Sequence, residues 1–273
     1  MRFLLLLFLL VTPLTAYSKA DNPQFAIVVP SYNNGSSNNQ RCIANIKSLV
    51  NQTYPHYTIH IINDCSSDDT GELIANYIRA NHLENKVFLT NSPTRNRALK
   101  NVYNCIKTLD PETIVLAVDG DDELANPKVI EKLAKIYRNK DVWMTYGNYR
   151  STPCDRGTCC APITDDICKN RSFRSIRWRF SHLKTFYAKL FMSIHLEDFM
   201  WEGDFSPCGW DHIIMYPMLE MASKGHIRFI KDVLYLYYLD NPLRVHRIKK
   251  TLQMTIAAEM KKKQPYQPLE SLF

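Results

Sequence analysis

From residue 25 to residue 150 the sequence alternates short apolar runs with amphipathic stretches, and few architectures can bury such a pattern. The run QFAIVVPSYNN stops at a proline and reads as a buried strand followed by a loop. RCIANIKSLVNQ comes next, with Ile43, Ile46, Leu49 and Val50 at helical spacing. YTIHIIND is a second strand, and SSDDTGELIANYI opens a helix with Ser and Asp in capping positions. KVFLT, RNRALKNVYNCIKTL and TIVLAV continue as strand, helix and strand, and PKVIEKLAKIY and DVWMTYGNY as helix and strand. Such alternation argues for an α/β fold, a mainly parallel sheet with helices on both faces. Sheets of this kind bind ligands beyond the carboxyl ends of their strands.

Residues 151–180 break the pattern, being polar, basic and rich in cysteine, and read as an insertion. Helical periodicity returns in SHLKTFYAKLFMSI and WDHIIMYPMLEMAS, and HIRFIKDVLYLYYL reads as a strand or hairpin arm. With 273 residues, 45% of them apolar, and no repeat or low-complexity linker, residues 21–150 and 181–273 are read as two parts of one domain.

At the amino terminus one Arg precedes an apolar run from Phe3 to Val11, followed by small residues that include Ala16 and Ala20. That layout predicts a secretory signal over residues 1–20, or an uncleaved anchor, and hence an exported protein. Eight cysteines fit an oxidising compartment. For Cys154, Cys159, Cys160 and Cys168 the expectation is one or two disulfides. Zinc ranks second, because the segment holds neither a paired C-x-x-C nor a histidine, and free buried thiols rank third. The net charge of +7 is densest at Arg244, Arg247, Lys249, Lys250 and Lys261 to Lys263. Two readings stay open there, a solvated helix face and a surface for phosphates or an anionic membrane; no nucleic-acid motif accompanies the charge.

The stretch TIVLAVDGDDEL runs a strand straight into Asp119, Asp121 and Asp122. Three carboxylates so close repel one another unless a cation or backbone amides lie among them. Alone, the turn reads equally well as a helix cap. However, VVPSYNN, IINDCSSDD and AVDGDDE all leave strands on one edge of the expected sheet, and polar and acidic loops converging there suit a nucleotide and its metal.

Four segments in series, FAIVVPSYNN, IINDCSSDDT, RNRALKN and VDGDDEL, resemble glycosyltransferase family 2, enzymes of the GT-A fold that transfer a sugar from a nucleotide-sugar with inversion. The resemblance implies a UDP-sugar donor held by Pro30, Tyr32, Asn33, Asp64, Arg95 and Asp119. Tyr32 would pack on the uracil, Asp64 would accept from its N–H, and Arg95 would donate to the nucleotide. Asp119 and Asp121 would form the D-x-D motif and, with His246, hold Mn2+ or Mg2+; Asp122 would assist or cap the next helix. Residues 21–150 would be the nucleotide-sugar half and 181–273 the acceptor-side part, taking a glycan, protein or lipid acceptor. Asp211 holds the position of the catalytic base, although the usual Glu-Asp pair is here Trp210-Asp211. Haloacid dehalogenase phosphatases carry their D-x-D on the first strand, which here ends in PSYNN. The rival reading is a non-catalytic secreted sugar- or nucleotide-binding protein on the same scaffold. Sequons stand at Asn34, Asn51 and Asn170, and a glycan on Asn34 would obstruct the donor loop.

Overall fold

A computed structural model describes residues 22–243 and 249–273. The expected signal segment and His246, with Arg244 and Arg247, lie outside the described residues.

The fold is built on β1 (Phe25–Ser31), every residue of which is buried. A strand covered on both faces must be apolar throughout, which is what FAIVVP supplies. It pairs in parallel with β2 (Tyr57–Asn63) on one side and β4 (Ile114–Ala117) on the other, and β3 (Val87–Asn91) lies beyond β2, also parallel. The connections carry α1 (Arg41–Val50), α2 (Thr70–Ala80) and α3 (Arg97–Ile106). Each helix buries a stripe at three- and four-residue spacing, such as Leu99, Val102 and Ile106 of α3. After β4 come a two-residue strand β5 (Glu123–Leu124), α4 (Val129–Tyr137) and β6 (Met144–Thr152).

The second half departs from its sequence reading. SHLKTFYAKLFMSI, expected to be helical, contains β7 (Lys184–Tyr187), all four residues buried, and only then a short α6 (Ala188–Met192). β7 runs antiparallel between β4 and β6 and pairs with both. Two open strand edges offered hydrogen-bond partners, and that tertiary pairing outweighed a helical spacing of apolar residues. The short α5 (Asp165–Lys169) precedes β7. Beyond α6, β8 (Met200–Trp201) and β9 (Asp204–Phe205) form a separate hairpin, followed by α7 (Trp210–Met221), β10 (Ile227–Tyr238) and α8 (Lys250–Lys262). β10 lies parallel to β6 and antiparallel to β5. The eight-stranded sheet therefore has the order β3-β2-β1-β4-β7-β6-β10-β5 and is mainly parallel.

The cysteine-rich segment also differs from expectation: all eight cysteines are free thiols. The segment is polar in sequence, yet it is ordered without cross-links. Instead Phe173 is fully buried, and Ile163, Ile167, Ile176 and Trp178 pack against the core. Tyr146 Oη donates to the Ala161 carbonyl at 2.6 Å and Arg179 Nη1 to that of Pro162 at 3.2 Å. Apolar anchoring and backbone hydrogen bonds thus supply the order that cross-links were expected to give.

α7 is buried on all sides from Ile213 to Met221 and organises the carboxyl-terminal half. Its Glu220 accepts from Arg174 at 2.6 and 2.8 Å and from the Tyr266 amide at 2.9 Å, so the final segment closes over a buried ion pair. Removing one partner of such a pair strands the other charge. Glu220→Ala is expected to lose about 3–5 kcal/mol of unfolding free energy. Urea denaturation checks this, and a loss below about 1 kcal/mol would mean that the Arg174 guanidinium finds water instead.

Candidate active site

The parallel register sets Ser31 beside Asn63, while β4 stops at Ala117 opposite Val28. The acidic turn therefore tucks in next to Pro30 and Ser31. Gly120 donates to the Pro30 carbonyl at 3.2 Å, and a Cβ on it would stand 2.7 Å from the Ser31 Cβ. That approach is closer than any side chain tolerates, which accounts for the glycine between Asp119 and Asp121.

From the other side the turn is gripped by β10 and the residues after it. Asp122, which is 1% exposed, accepts from Tyr235 Oη at 2.8 Å and from the Tyr238 amide at 2.7 Å. Tyr235 Oη in turn accepts from the Asp119 amide at 3.0 Å, and Asn45 Nδ2 donates to the carbonyls of Asp119 and Asp122. Burial, then Asp121 and Asp119, push the Asp122 carboxyl well above its ordinary range. Asp122 is thus the structural member of the trio. Asp119 and Asp121 keep access to the cleft, and Asn241 Nδ2 holds Asp121 at 2.5 Å.

The cleft encloses about 300 Å³ and brings together Pro30, Tyr32, Asp64, Arg95, Asp119, Asp121 and Asp211. Asn33 is not among its lining residues. It sits at φ 51° with its side chain bonded to Ser67, its Nδ2 donating to the Oγ and its Oδ1 accepting from the amide. Asn34 is buried, donates to Ser31 Oγ at 3.1 Å, and presents no free side-chain amide to a glycosylating enzyme in the folded chain. Asp64 is 2% exposed, and its two oxygens take four donors: Arg95 Nε at 2.9 Å, the amides of Asn96 and Arg97 at 2.7 and 2.9 Å, and Asn101 Nδ2 at 2.8 Å. Accepting from a nucleobase would require one of these to give way. In this arrangement Asp64 fixes the start of α3 and aims Arg95, whose guanidinium carbon lies 3.0 Å from the Tyr32 ring centre.

Asp211 stands in the first turn of α7, whose N-cap position is taken by Gly209. Its carboxylate is ion-paired with Lys184, a residue with no exposed side-chain surface that also lies over the Trp210 ring at 4.7 Å. Burial favours the neutral carboxyl of Asp211, but the Lys184 ammonium leads the opposing effects, which together hold it below its ordinary value. Asp119 fares differently. Burial raises it, Lys184 opposes this, Asp211 and Asp121 add to the rise, and the carboxyl is pushed up to about 7. His182 lies 3.9 Å from Asp119 and stacks on Tyr235 at 4.4 Å. Burial, then Lys184, lower it to about 3, so it is a neutral imidazole.

Lys184, His182, Tyr235 and Asn241 were not singled out from the sequence. The available signal was Lys184 itself: a lysine inside the apolar run HLKTFYAKLF is buried only if paired with an acid. Lys184→Met should leave the partly buried Asp211 without its counter-charge and cost about 1–3 kcal/mol. Adding Asp211→Asn should recover part of that loss, because the stranded charge goes too. A double-mutant cycle by urea denaturation gives the coupling, and additive losses would deny it.

Comparison with known proteins gives a consistent picture. The family model for glycosyl transferase family 2 matches residues 26–196. The Streptococcus pneumoniae glycosyltransferase GlyG is 26% identical over 227 residues, covering 78% of this chain and 69% of that protein. The Escherichia coli glycosyltransferase YibD is 25% identical over 250 residues, covering 82% of this chain and 64% of its own. Among solved structures, residues 1–349 of Staphylococcus aureus TarS, in complex with UDP-GlcNAc, superpose with a TM-score of 0.58 at 17% identity, covering 89% of this chain and 68% of that one. The mannosyltransferase PcManGT of Pyrobaculum calidifontis, in complex with GDP-Man and Mn2+, gives 0.59 at 15% identity, covering 90% and 66%.

Proposed function

The chain belongs to glycosyl transferase family 2 and is a glycosyltransferase, and from that premise we propose that it moves a sugar from a UDP-sugar to an acceptor hydroxyl by direct displacement, with inversion and with a divalent cation. The observation that carries this reading is Asp211, held ionised by Lys184 in the same cleft as Asp119 and Asp121.

Asp119 and Asp121 would hold the cation. Their fit rests on charge: three carboxylates face one buried ammonium, and burial has already pushed Asp119 up to about 7. Among the described residues no group of three or more metal-binding side chains assembles. Two carboxylates completed by the donor's phosphates suit Mg2+ or Mn2+, and His246 remains a candidate third ligand. A cation bound there would neutralise the charge that builds on the leaving diphosphate. The nucleotide-sugars and Mn2+ bound by TarS and PcManGT support the donor class and the metal.

The chain's own groups supply the rest. Tyr32 and Arg95 flank the nucleotide, with Arg95 aimed by Asp64. Asp211 takes the proton of the acceptor hydroxyl while the hydroxyl oxygen bonds to the anomeric carbon, and the bond to the diphosphate breaks with its electron pair leaving on oxygen. Pairing with Lys184 keeps Asp211 ionised at neutral pH, as a base must be.

Two outcomes are expected. Asp121→Ala should abolish metal-dependent UDP binding in calorimetry, with GDP as the control nucleotide; tight metal-independent UDP binding by the variant would overturn the metal assignment. Asp211→Asn should keep UDP binding but slow transfer by about 10²- to 10⁴-fold, the usual contribution of a general base. Transfer near the wild-type rate would move the base elsewhere, with Glu202 and Asp204 in WEGDF next to be tested.

A further inference from the structure

The cations around the cleft fall into two groups. Arg95 is committed to Asp64 and Tyr32, Lys184 to Asp211, and Lys100 to Asp204 at 3.7 Å. Arg97 and Lys249 line the same cleft, and neither is paired with a carboxylate among the described residues. They come from distant parts of the chain, the first turn of α3 and the residue before α8, and both charges bear on the Cys208 thiol between them. The Arg97 amide is engaged by Asp64, so its backbone is fixed, while its guanidinium has no carboxylate partner among the described residues. Cys208 lies three residues before Asp211, on the segment that leads into α7. The cleft therefore carries, beside its carboxylates, two cations that have no carboxylate partner among the described residues and that meet at the segment leading to the proposed base.

Two cations lining one cleft, without a carboxylate partner among the described residues, are poised for an anion. The donor's diphosphate is accounted for by the Asp119 and Asp121 end, and the attacking hydroxyl must approach Asp211. We propose that Arg97 and Lys249 bind an anionic group, a phosphate ester or a carboxylate, carried by the acceptor close to the hydroxyl that is glycosylated. The preferred acceptor is then a sugar phosphate or an acidic sugar unit, not a neutral glycan. This rests on the assignment of the donor to the acidic end and of the base to Asp211.

The test uses the full chain loaded with UDP and Mg2+. Affinities for methyl glucoside, glucose 6-phosphate and glucuronate are measured by saturation-transfer NMR, and UDP affinity separately by calorimetry. The charged sugars are expected to bind about tenfold more tightly than the neutral one, as suits a partly exposed charge-assisted contact. Arg97→Gln with Lys249→Gln should erase that preference and leave UDP affinity within about twofold, whereas Arg97→Lys should retain most of it. Preference for glucose 6-phosphate alone names a phosphate, and for glucuronate alone a carboxylate. Equal binding of all three sugars, or none by any, with UDP still bound, overturns the anion site and spares the donor assignment. A loss of UDP affinity in the double variant assigns both cations to the donor and likewise overturns it. Failure of the wild-type chain to bind UDP sinks both readings together.

Discussion

The structure turns on how negative charge is accommodated at the end of β4. Asp119, Asp121 and Asp122 would repel one another strongly in a partly buried turn. The fold disposes of one of them entirely. Asp122 is sunk between Tyr235 and the Tyr238 amide, and this draws the end of β10 onto a turn more than a hundred residues earlier in sequence. Gly120 allows the turn to lie against Ser31, so β1, β4 and β10 meet at one point. The cleft is the space left around that junction.

Lys184 is the second part of the charge balance. β7 enters the sheet antiparallel to its neighbours, so its amino-terminal end, not its carboxyl end, lies at the ligand edge. That reversal delivers a buried ammonium to Asp211 on α7. One ammonium against three accessible carboxylates leaves negative charge in excess, which suits the divalent cation proposed for this cleft. The same geometry separates two tasks that a single acidic pocket would confuse. Asp211 is kept ionised beside its lysine, while Asp119 and Asp121 line the cleft at the end of β4.

Much of the first half was legible because its signals are local. β1 is apolar throughout and ends at a proline, α1 and α3 repeat at helical spacing, and the acidic turn announces itself by composition. Residues were harder to read where their partners are remote. Asp64 looks in sequence like a ligand-binding acid at a strand end, yet all its acceptor capacity goes to Arg95, Asn96, Arg97 and Asn101. Asn33 and Asn34 sit in the same loop as Tyr32, but their side chains are spent on Ser67 and Ser31. The cysteine cluster, in a polar segment, suggested cross-links. Phe173 and Trp178, near its end, anchor it to the core.

By itself the sequence determined the α/β class, the order of elements through β6 apart from the two-residue β5, and the identity of the acidic turn, because apolar periodicity and strand-terminating residues act over a few positions. Only the tertiary structure decided that Lys184 to Tyr187 form a strand, that Asp122 is a clamp while Asp119 and Asp121 face the cleft, and that Lys184 accompanies Asp211. Each of these depends on which groups meet across the sheet. A buried charge or an open strand edge takes the state its spatial partner allows, and no local window of sequence contains that partner.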